Sequence, residues 1–234
     1  MNATFEYPGT ELGALNGADN YYRWILSHFA PYLGKRVIEV GAGIGTFSRF
    51  LLNGTKVEEL VALEPAKNLF PILQQRLSGD GRVKPVQGYI DELEHSFSAD
   101  AVVLINVLEH ISDDEALLQT VYRTLAPAGT ILLSVPALPW LFGSLDKAFD
   151  HHRRYTKPWL AEKLQNAGFR LEYLRYFNFP GVITWCLAGK VLKRKTLRKA
   201  DVQFYDQWVV PWASRLERHW EPPIGQGLLA VGRK

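Results

Sequence analysis

Between residues 37 and 51 the chain reads VIEVGAGIGTFSRFL, a short apolar run that breaks into Gly41, Gly43 and Gly45 and resumes at helical spacing. Alternating glycines let a chain turn sharply and bring its backbone against a ligand where any Cβ would collide. Two carboxylates flank the loop. Glu64 ends the next apolar run, 19 residues after Gly45, where an acceptor-only carboxylate suits the two hydroxyls of a ribose. Glu39, two residues before Gly41, is placed to orient a positively charged amine or its bound water. A dinucleotide fingerprint would want Gly or Ala at position 46; Thr46 stands there, which disfavours a nicotinamide dehydrogenase.

A second set of residues could move protons or hold an anion. His110 follows another apolar run, and DHHRRYT at 150–156 carries His151, His152, Arg153, Arg154 and Tyr155. Histidine takes a proton near neutral pH, so the three histidines are candidate bases. Paired guanidinium groups clamp phosphate or carboxylate, which would leave His151 and Tyr155 to contact an acceptor. The competing uses are a structural hydrogen bond for His110 and, for the arginines and tyrosine, a network that pins a loop to a helix. No metal is expected: adjacent His151 and His152 point apart and would need Asp146 or Asp150 as a further ligand.

These residues need a scaffold, and the remaining pattern supplies one. Apolar runs at 36–40, 59–63, 83–87, 101–105, 130–135, 169–177 and 227–232 read as strands. Amphipathic stretches near 19–32, 46–53, 66–77, 114–125 and 157–167 read as helices, which together predict an α/β fold around a parallel sheet. Pro65 suits a first helical turn, Asp113 a helix cap, and Gly129 and Gly168 helix-to-strand handovers. Two stretches depart from the alternation, 137–156 and 178–226. The second is long for a structureless connection, so it is expected to carry helices and act as a cap.

The chain has 234 residues and a net charge of +3, with 11 Lys and Arg against 18 Asp and Glu up to residue 150 and 16 against 6 after it. The basic end suggests an anionic partner or surface, or a face that only aids solubility, and the run Lys190, Lys193, Arg194, Lys195, Arg198 and Lys199, interleaved with Val191, Leu192 and Leu197, reads as a peripheral membrane contact, an anion-binding segment or a solvated helix face. One cysteine, Cys186, allows no intrachain disulfide and suits a reducing, cytoplasmic setting. The start MNATFEYPGT has no basic segment followed by an apolar core, so no leader is expected.

VIEVGAGIG, the acid of ALEP, the turn INVLEHI and the downstream APAGTILLSVP together resemble class I S-adenosylmethionine-dependent methyltransferases. The resemblance covers about residues 20–177. It implies a Rossmann-like, seven-stranded, mostly parallel sheet whose last strand is antiparallel, with helices on both faces and a C-terminal helical cap insertion. The whole chain would be one such domain, with an N-terminal helical segment at 1–34 and substrate-side insertions at 137–156 and 178–226. It implies S-adenosylmethionine as cofactor, with Gly41, Ala42, Gly43 and Gly45 facing its methionine and ribose and Glu64, beside Pro65, on the ribose hydroxyls. Gly88, Tyr89 and Ile90 would flank the adenine, and Asn106 and Val107 would lie under the centre of the ligand. GSLDKAFDHHRRYTKPWL, YFNFPG and PPIGQGLLAVGRK are also similar to a bacterial subgroup often encoded near glycosyltransferases, in which a tyrosine commonly stands where this chain has His152.

The expected activity is methyl transfer to a small molecule, an oxygen of a sugar or of another anionic or lipid-linked metabolite. The alternative is a non-catalytic binder of the same cofactor that attaches to a membrane or to a glycan-assembly enzyme. Nucleic acid is not expected as a partner, since the turn after the fourth strand reads Asn106-Val107-Leu108-Glu109 rather than N-P-P-aromatic. The acidic and basic parts are expected to face each other across one cleft.

Overall fold

The computed structural model describes residues 5–9, 11–93 and 97–234. Strands β1 (Arg36–Val40), β2 (Glu59–Leu63), β3 (Val83–Val86), β4 (Ala99–Ile105), β5 (Leu125–Pro136), β6 (Arg170–Phe177) and β7 (Gly227–Arg233) form one sheet in the order β3-β2-β1-β4-β5-β7-β6. β7 is antiparallel to both β5 and β6, and the pairs made by β1 to β5 are parallel. The chain builds outward from β1 to β3 and then returns to place β4 on the other side of β1. Reversals of this kind open a crevice at the carboxyl ends of the two central strands.

The strands are apolar on both faces because both are covered. Val37, Leu60, Ala62 and Val103 pack with Ile25 and Phe29 of α2 (Asp19–Phe29), Phe47 and Leu51 of α3 (Thr46–Gly54) and Leu73 and Leu77 of α4 (Phe70–Leu77). Ile38, Val61, Leu63 and Leu104 pack with Leu118 and Val121 of α5 (Asp114–Thr124) and Leu160 and Leu164 of α7 (Lys157–Asn166). Asp113 caps α5 by accepting from the Ala116 amide at 3.0 Å, and Gly168, at φ +98°, ends α7. Two expected boundaries move. α4 starts at Phe70, with Pro71 rather than Pro65 in its first turn, because residues 64–68 are used in turns: the Ala66 amide donates to Glu64 and Asn68 is bonded to Tyr7. Gly129 lies inside β5, which begins at once after α5.

Insertion 137–156 carries the short helix α6 (Ser144–Ala148). Insertion 178–226 is helical as expected. α8 (Phe179–Trp185) widens into π turns over Cys186–Val191, and α9 (Lys199–Phe204) passes through π turns at Tyr205–Val209 into α10 (Val210–His219). Pro211 has no N–H for the carbonyl four residues back, and the wider turns stand immediately before it. Two buried acids fasten this cap to the sheet. Asp206 accepts from the amides of Tyr21 (2.8 Å) and Asn20 (3.1 Å) at the first turn of α2, and Glu217 accepts from those of Asn178 (2.9 Å) and Phe179 (2.8 Å) at the start of α8. In both, a carboxylate meets the positive end of a helix whose own flanking residue supplies no cap.

Candidate functional site

A cavity of about 750 Å³ opens at the carboxyl ends of β1 and β4, and its wall includes Gly41, Gly43, Glu64, Pro65, Tyr89, Asn106, Val107, His110 and His151. The volume lies within the range of small-molecule sites. Gly41 and Gly43 stand at φ +69° and +57°, in the left-handed region where side chains are rarely tolerated. A Cβ on Gly41 would lie 2.6 Å from Val107, whereas one on Gly43 would meet only Leu12, at 3.5 Å, so the backbone at Gly43 is bare toward the cavity. Glu64 is held by two amides, Gly43 at 2.7 Å and Ala66 at 2.9 Å, one to each carboxylate oxygen. Burial raises its carboxyl pKa, and these two bonds oppose the rise. Each oxygen retains acceptor capacity for a further donor. A bare glycine backbone beside a pinned carboxylate with spare lone pairs fits the ribose and amino-acid parts of S-adenosylmethionine.

Other expected contacts lie behind the wall. Gly45 begins α3 at φ +78°, and a Cβ there would press on Leu73 and Leu77 of α4. It serves packing, as do Ala42, whose amide ties the loop to Leu63 at 2.8 Å, and the buried Gly88 and Ile90. Only Tyr89 of that trio reaches the cavity. Glu39 departs most from expectation. Strand alternation turns it to the α3 side of β1, where it is fully buried and accepts from Ser48. Burial pushes its pKa up to about 8, so it is largely neutral at pH 7 and does not present a negative charge to an amine.

At the other end of the cavity the turn after β4 and the segment after α6 bring Glu109, His110 and His151 together. The two imidazoles are edge to face with centroids 4.8 Å apart, and the three residues offer ligand atoms within 4.8 Å of one another. Burial, reinforced by His151, lowers His110 to about 4, and burial raises Glu109 to about 7. Neutral at pH 7 and hard to protonate, His110 is a weak base.

Four residues expected to meet an acceptor or its anionic group face elsewhere. Arg153 pairs with Asp114 at 2.8 Å and donates to the Ser112 carbonyl. Tyr155 is fully buried and donates to Asp114 (2.9 Å) and to the Leu108 carbonyl (3.2 Å). The His152 side chain is exposed, while its amide bonds the Glu109 carbonyl. Arg154 is buried, with Asp146 at 2.6 Å and the Ala137 carbonyl at 2.8 Å. The reason is common to the buried Arg154 and Tyr155 and the partly buried Arg153: Asp114 and Asp146, themselves buried, take the donors inward.

The sequence reading missed the flap formed by Phe5, Tyr7 and α1 (Glu11–Leu15), whose Glu11 and Leu12 also line the cavity. Tyr7 is tied to Asn68 through its amide and carbonyl and to Glu11 through its hydroxyl. Nothing in a short polar stretch announces such pairing. Glu109 was also missed, although it stands beside His110 in the quoted turn.

Residues 18–174 match the family model of the methyltransferase domain. A ubiquinone biosynthesis O-methyltransferase of Xanthomonas axonopodis pv. citri (strain 306) is 30% identical over 158 residues, 59% of this chain and 64% of that protein. A demethylmenaquinone methyltransferase of Clavibacter sepedonicus is 27% identical over 149 residues, 62% and 58% of the two chains. The chain thus covers a little under two thirds of the length of these relatives. Among solved structures, an S-adenosylmethionine-dependent methyltransferase from Mesorhizobium loti superposes with a TM-score of 0.63 at 16% identity, covering 93% of this chain and all of that one. The sheet order, the antiparallel β7 and the matched model agree: the chain belongs to the class I S-adenosylmethionine-dependent methyltransferase family.

Proposed function

We propose that the protein transfers a methyl group from S-adenosylmethionine to an oxygen of a lipid-linked or otherwise largely apolar acceptor, working at an anionic membrane surface. The observation that carries this reading is the continuity of one cavity. It joins Gly41, Gly43 and Glu64 to the cluster of Glu109, His110 and His151, and runs on to Leu187, Leu192 and Phe204 of the cap. Bound there, the cofactor supplies a methyl on a sulfonium, open to in-line displacement, and the protein's share is alignment. Gly43 and Glu64 hold the cofactor end. The Glu109 cluster receives the acceptor oxygen, and Tyr7 and Leu12 of the flap exclude water. That two relatives are named for quinones suits an acceptor with a long apolar part.

Support for the membrane part comes from the outer face of the cap. Ile183 and Val191 are exposed, and so are Trp208, Trp212 and Leu216, which recur every four residues, Trp208 to 64% and Trp212 to 61%; none of the five lines the cavity. Lys190, Lys193, Lys195 and Lys199 stand nearby in the chain and are exposed. Large apolar side chains next to cations match an anionic bilayer interface. No helix among the described residues is long and apolar enough to cross a membrane, so this contact would be peripheral. Calorimetry with S-adenosylhomocysteine, a methyl-release assay on lipid-linked phenols and sugars, and co-sedimentation with phosphatidylglycerol vesicles test the reading. Absence of homocysteine-cofactor binding would overturn it, and binding without turnover on any acceptor would favour a non-catalytic binder.

A further inference from the structure

We infer that Glu109, His110 and His151 form a site for one divalent first-row metal ion in the wall of the cavity. The inference deepens the proposed function, since the ion would sit where the acceptor oxygen is placed.

Three observations converge. Glu109 is fully buried, and neither of its carboxylate oxygens has a hydrogen-bonding partner among the described residues. A carboxylate taken out of water without donors is costly unless a cation meets it. The second observation concerns the histidines. Nδ1 of His151 lies 3.1 Å from Oδ1 of Asp146, and Nδ1 of His110 lies 3.3 Å from the Asp150 carbonyl. Each partner is an acceptor, so each Nδ1 carries the proton, and the Nε2 lone pairs remain for a ligand. An outer oxygen that fixes the tautomer in this way is the usual support of a metal-bound imidazole. Nε2 of His151 points toward Glu109, 4.0 Å from Oε1. The third is charge. Asp146 and Glu109 are two buried acids served by one buried guanidinium, Arg154, which bonds Asp146 and not Glu109. For Glu109 to be ionised there, the cluster needs one further positive charge.

Two imidazoles and one carboxylate suit zinc, manganese, iron or cobalt. With metal–ligand bonds of about 2.1 Å the donor atoms stand about 3.4 Å apart, so the present spread of up to 4.8 Å would have to close by up to about 1.4 Å. Three protein ligands leave positions open toward the cavity. An acceptor hydroxyl bound there would lose its proton more readily, because the cation stabilises the oxyanion. The oxyanion's electron pair then forms the new bond to carbon, the bond from carbon to the cofactor's sulfur breaks, and the proton has already passed to solvent. The opposing possibility is that His151 binds a proton and, as imidazolium, supplies the missing charge.

The test uses the full chain, stripped with a chelator and titrated with Zn²⁺ by calorimetry and with Co²⁺ by visible absorption. The expected result is one equivalent bound at micromolar affinity or better, with a d–d band for cobalt. Glu109→Gln, His110→Asn and His151→Ala should each weaken binding at least tenfold, while His152→Ala, one residue away and exposed, should not. Retained binding of S-adenosylhomocysteine by each variant shows that it is folded. Failure of the wild type to bind either ion at 100 µM, or variants that bind as the wild type does, would overturn the site and favour the imidazolium. Metal binding without binding of the homocysteine cofactor would instead leave the site standing and overturn the methyl-transfer reading.

Discussion

Replacing Glu64 by Ala should damage the protein in two separable ways. The carboxylate accepts from the amides of Gly43 and Ala66 at 2.7 and 2.9 Å and is nearly inaccessible, so its loss leaves two N–H groups without their partner. Hydrogen bonds to a charged group contribute about 1.5–3 kcal/mol each, but the cavity can admit water to replace the lost oxygens. A stability loss of about 2–3 kcal/mol follows. The second effect falls on the ligand. If the remaining lone pairs of Glu64 receive the ribose hydroxyls, S-adenosylhomocysteine should bind more weakly by about 1.5–3 kcal/mol, roughly 10- to 150-fold. Urea unfolding measures the first quantity and calorimetry the second, at a temperature where the variant is folded. Glu64→Gln is not a benign control: its amide nitrogen would face one of the two N–H donors. A variant destabilised as expected but binding the cofactor within threefold of wild type would refute the ribose role and leave Glu64 as a clamp on the glycine loop.

Other consequences are as direct. Asp206→Ala should cost about 2–4 kcal/mol in urea unfolding, because two amides of α2 lose a charged acceptor at a helix N-terminus; a change under 0.5 kcal/mol would show that the cap is held by packing alone. Glu39, pushed up to about 8 in the fold against an ordinary carboxyl value when unfolded, contributes stability that is fully present below about pH 4.5 and is lost as pH rises toward 8. Glu39→Gln should therefore remove up to about 1.4 kcal/mol per pH unit from the slope of stability between pH 5 and 8, and identical slopes in both proteins would contradict it. Tyr155→Phe should lower stability by about 1–2 kcal/mol through the bonds to Asp114 and Leu108, while leaving KM for the acceptor and kcat within twofold; a selective rise in KM would return Tyr155 to the acceptor site.

The sheet was readable because its signals are local. Each strand is a short apolar run, and Asp113 and Gly168 mark helix ends with their own chemistry. The glycine loop and Glu64 were readable because they follow the paired ends of the neighbouring strands β1 and β2. What escaped depends on partners far along the chain. Arg153 and Tyr155 looked like acceptor ligands because their own segment does not reveal Asp114, about 40 residues earlier. Asp206 caps a helix that begins at Asp19. Glu39 was misjudged by a single step of strand alternation, which decides between the cavity and the space under α3. The cluster of Glu109, His110 and His151 was missed for a related reason: His151 was weighed against its neighbour His152, while its companions come from the turn at 108–110.

The same pairs revise the meaning of the charge division. Among the cations after residue 150, Arg153 and Lys163 bind Asp114, and Arg154 binds Asp146, so these positive charges are used to join the two parts of the chain. Arg194 and Arg198 do line the cavity, but both are bonded to Asp201. Exposed cations remain on the cap, Lys193, Lys195 and Lys199 and, on the helix that carries Trp212, Arg215 and Arg218, and none of these lines the cavity. A cleft with opposite charges on its two walls is therefore the wrong picture. On the proposed reading, anion attraction belongs to the outside of the cap, and apolar contact to the cavity. The two should respond differently to salt. Raising NaCl from 50 to 500 mM should weaken adsorption to phosphatidylglycerol vesicles at least tenfold, because exposed cations are screened over a few ångströms at that strength. Affinity for S-adenosylhomocysteine in the same buffers should change less than twofold. If both fall together, the basic run acts on the cofactor cavity after all, and the separation argued from Asp114, Asp146 and Asp201 fails.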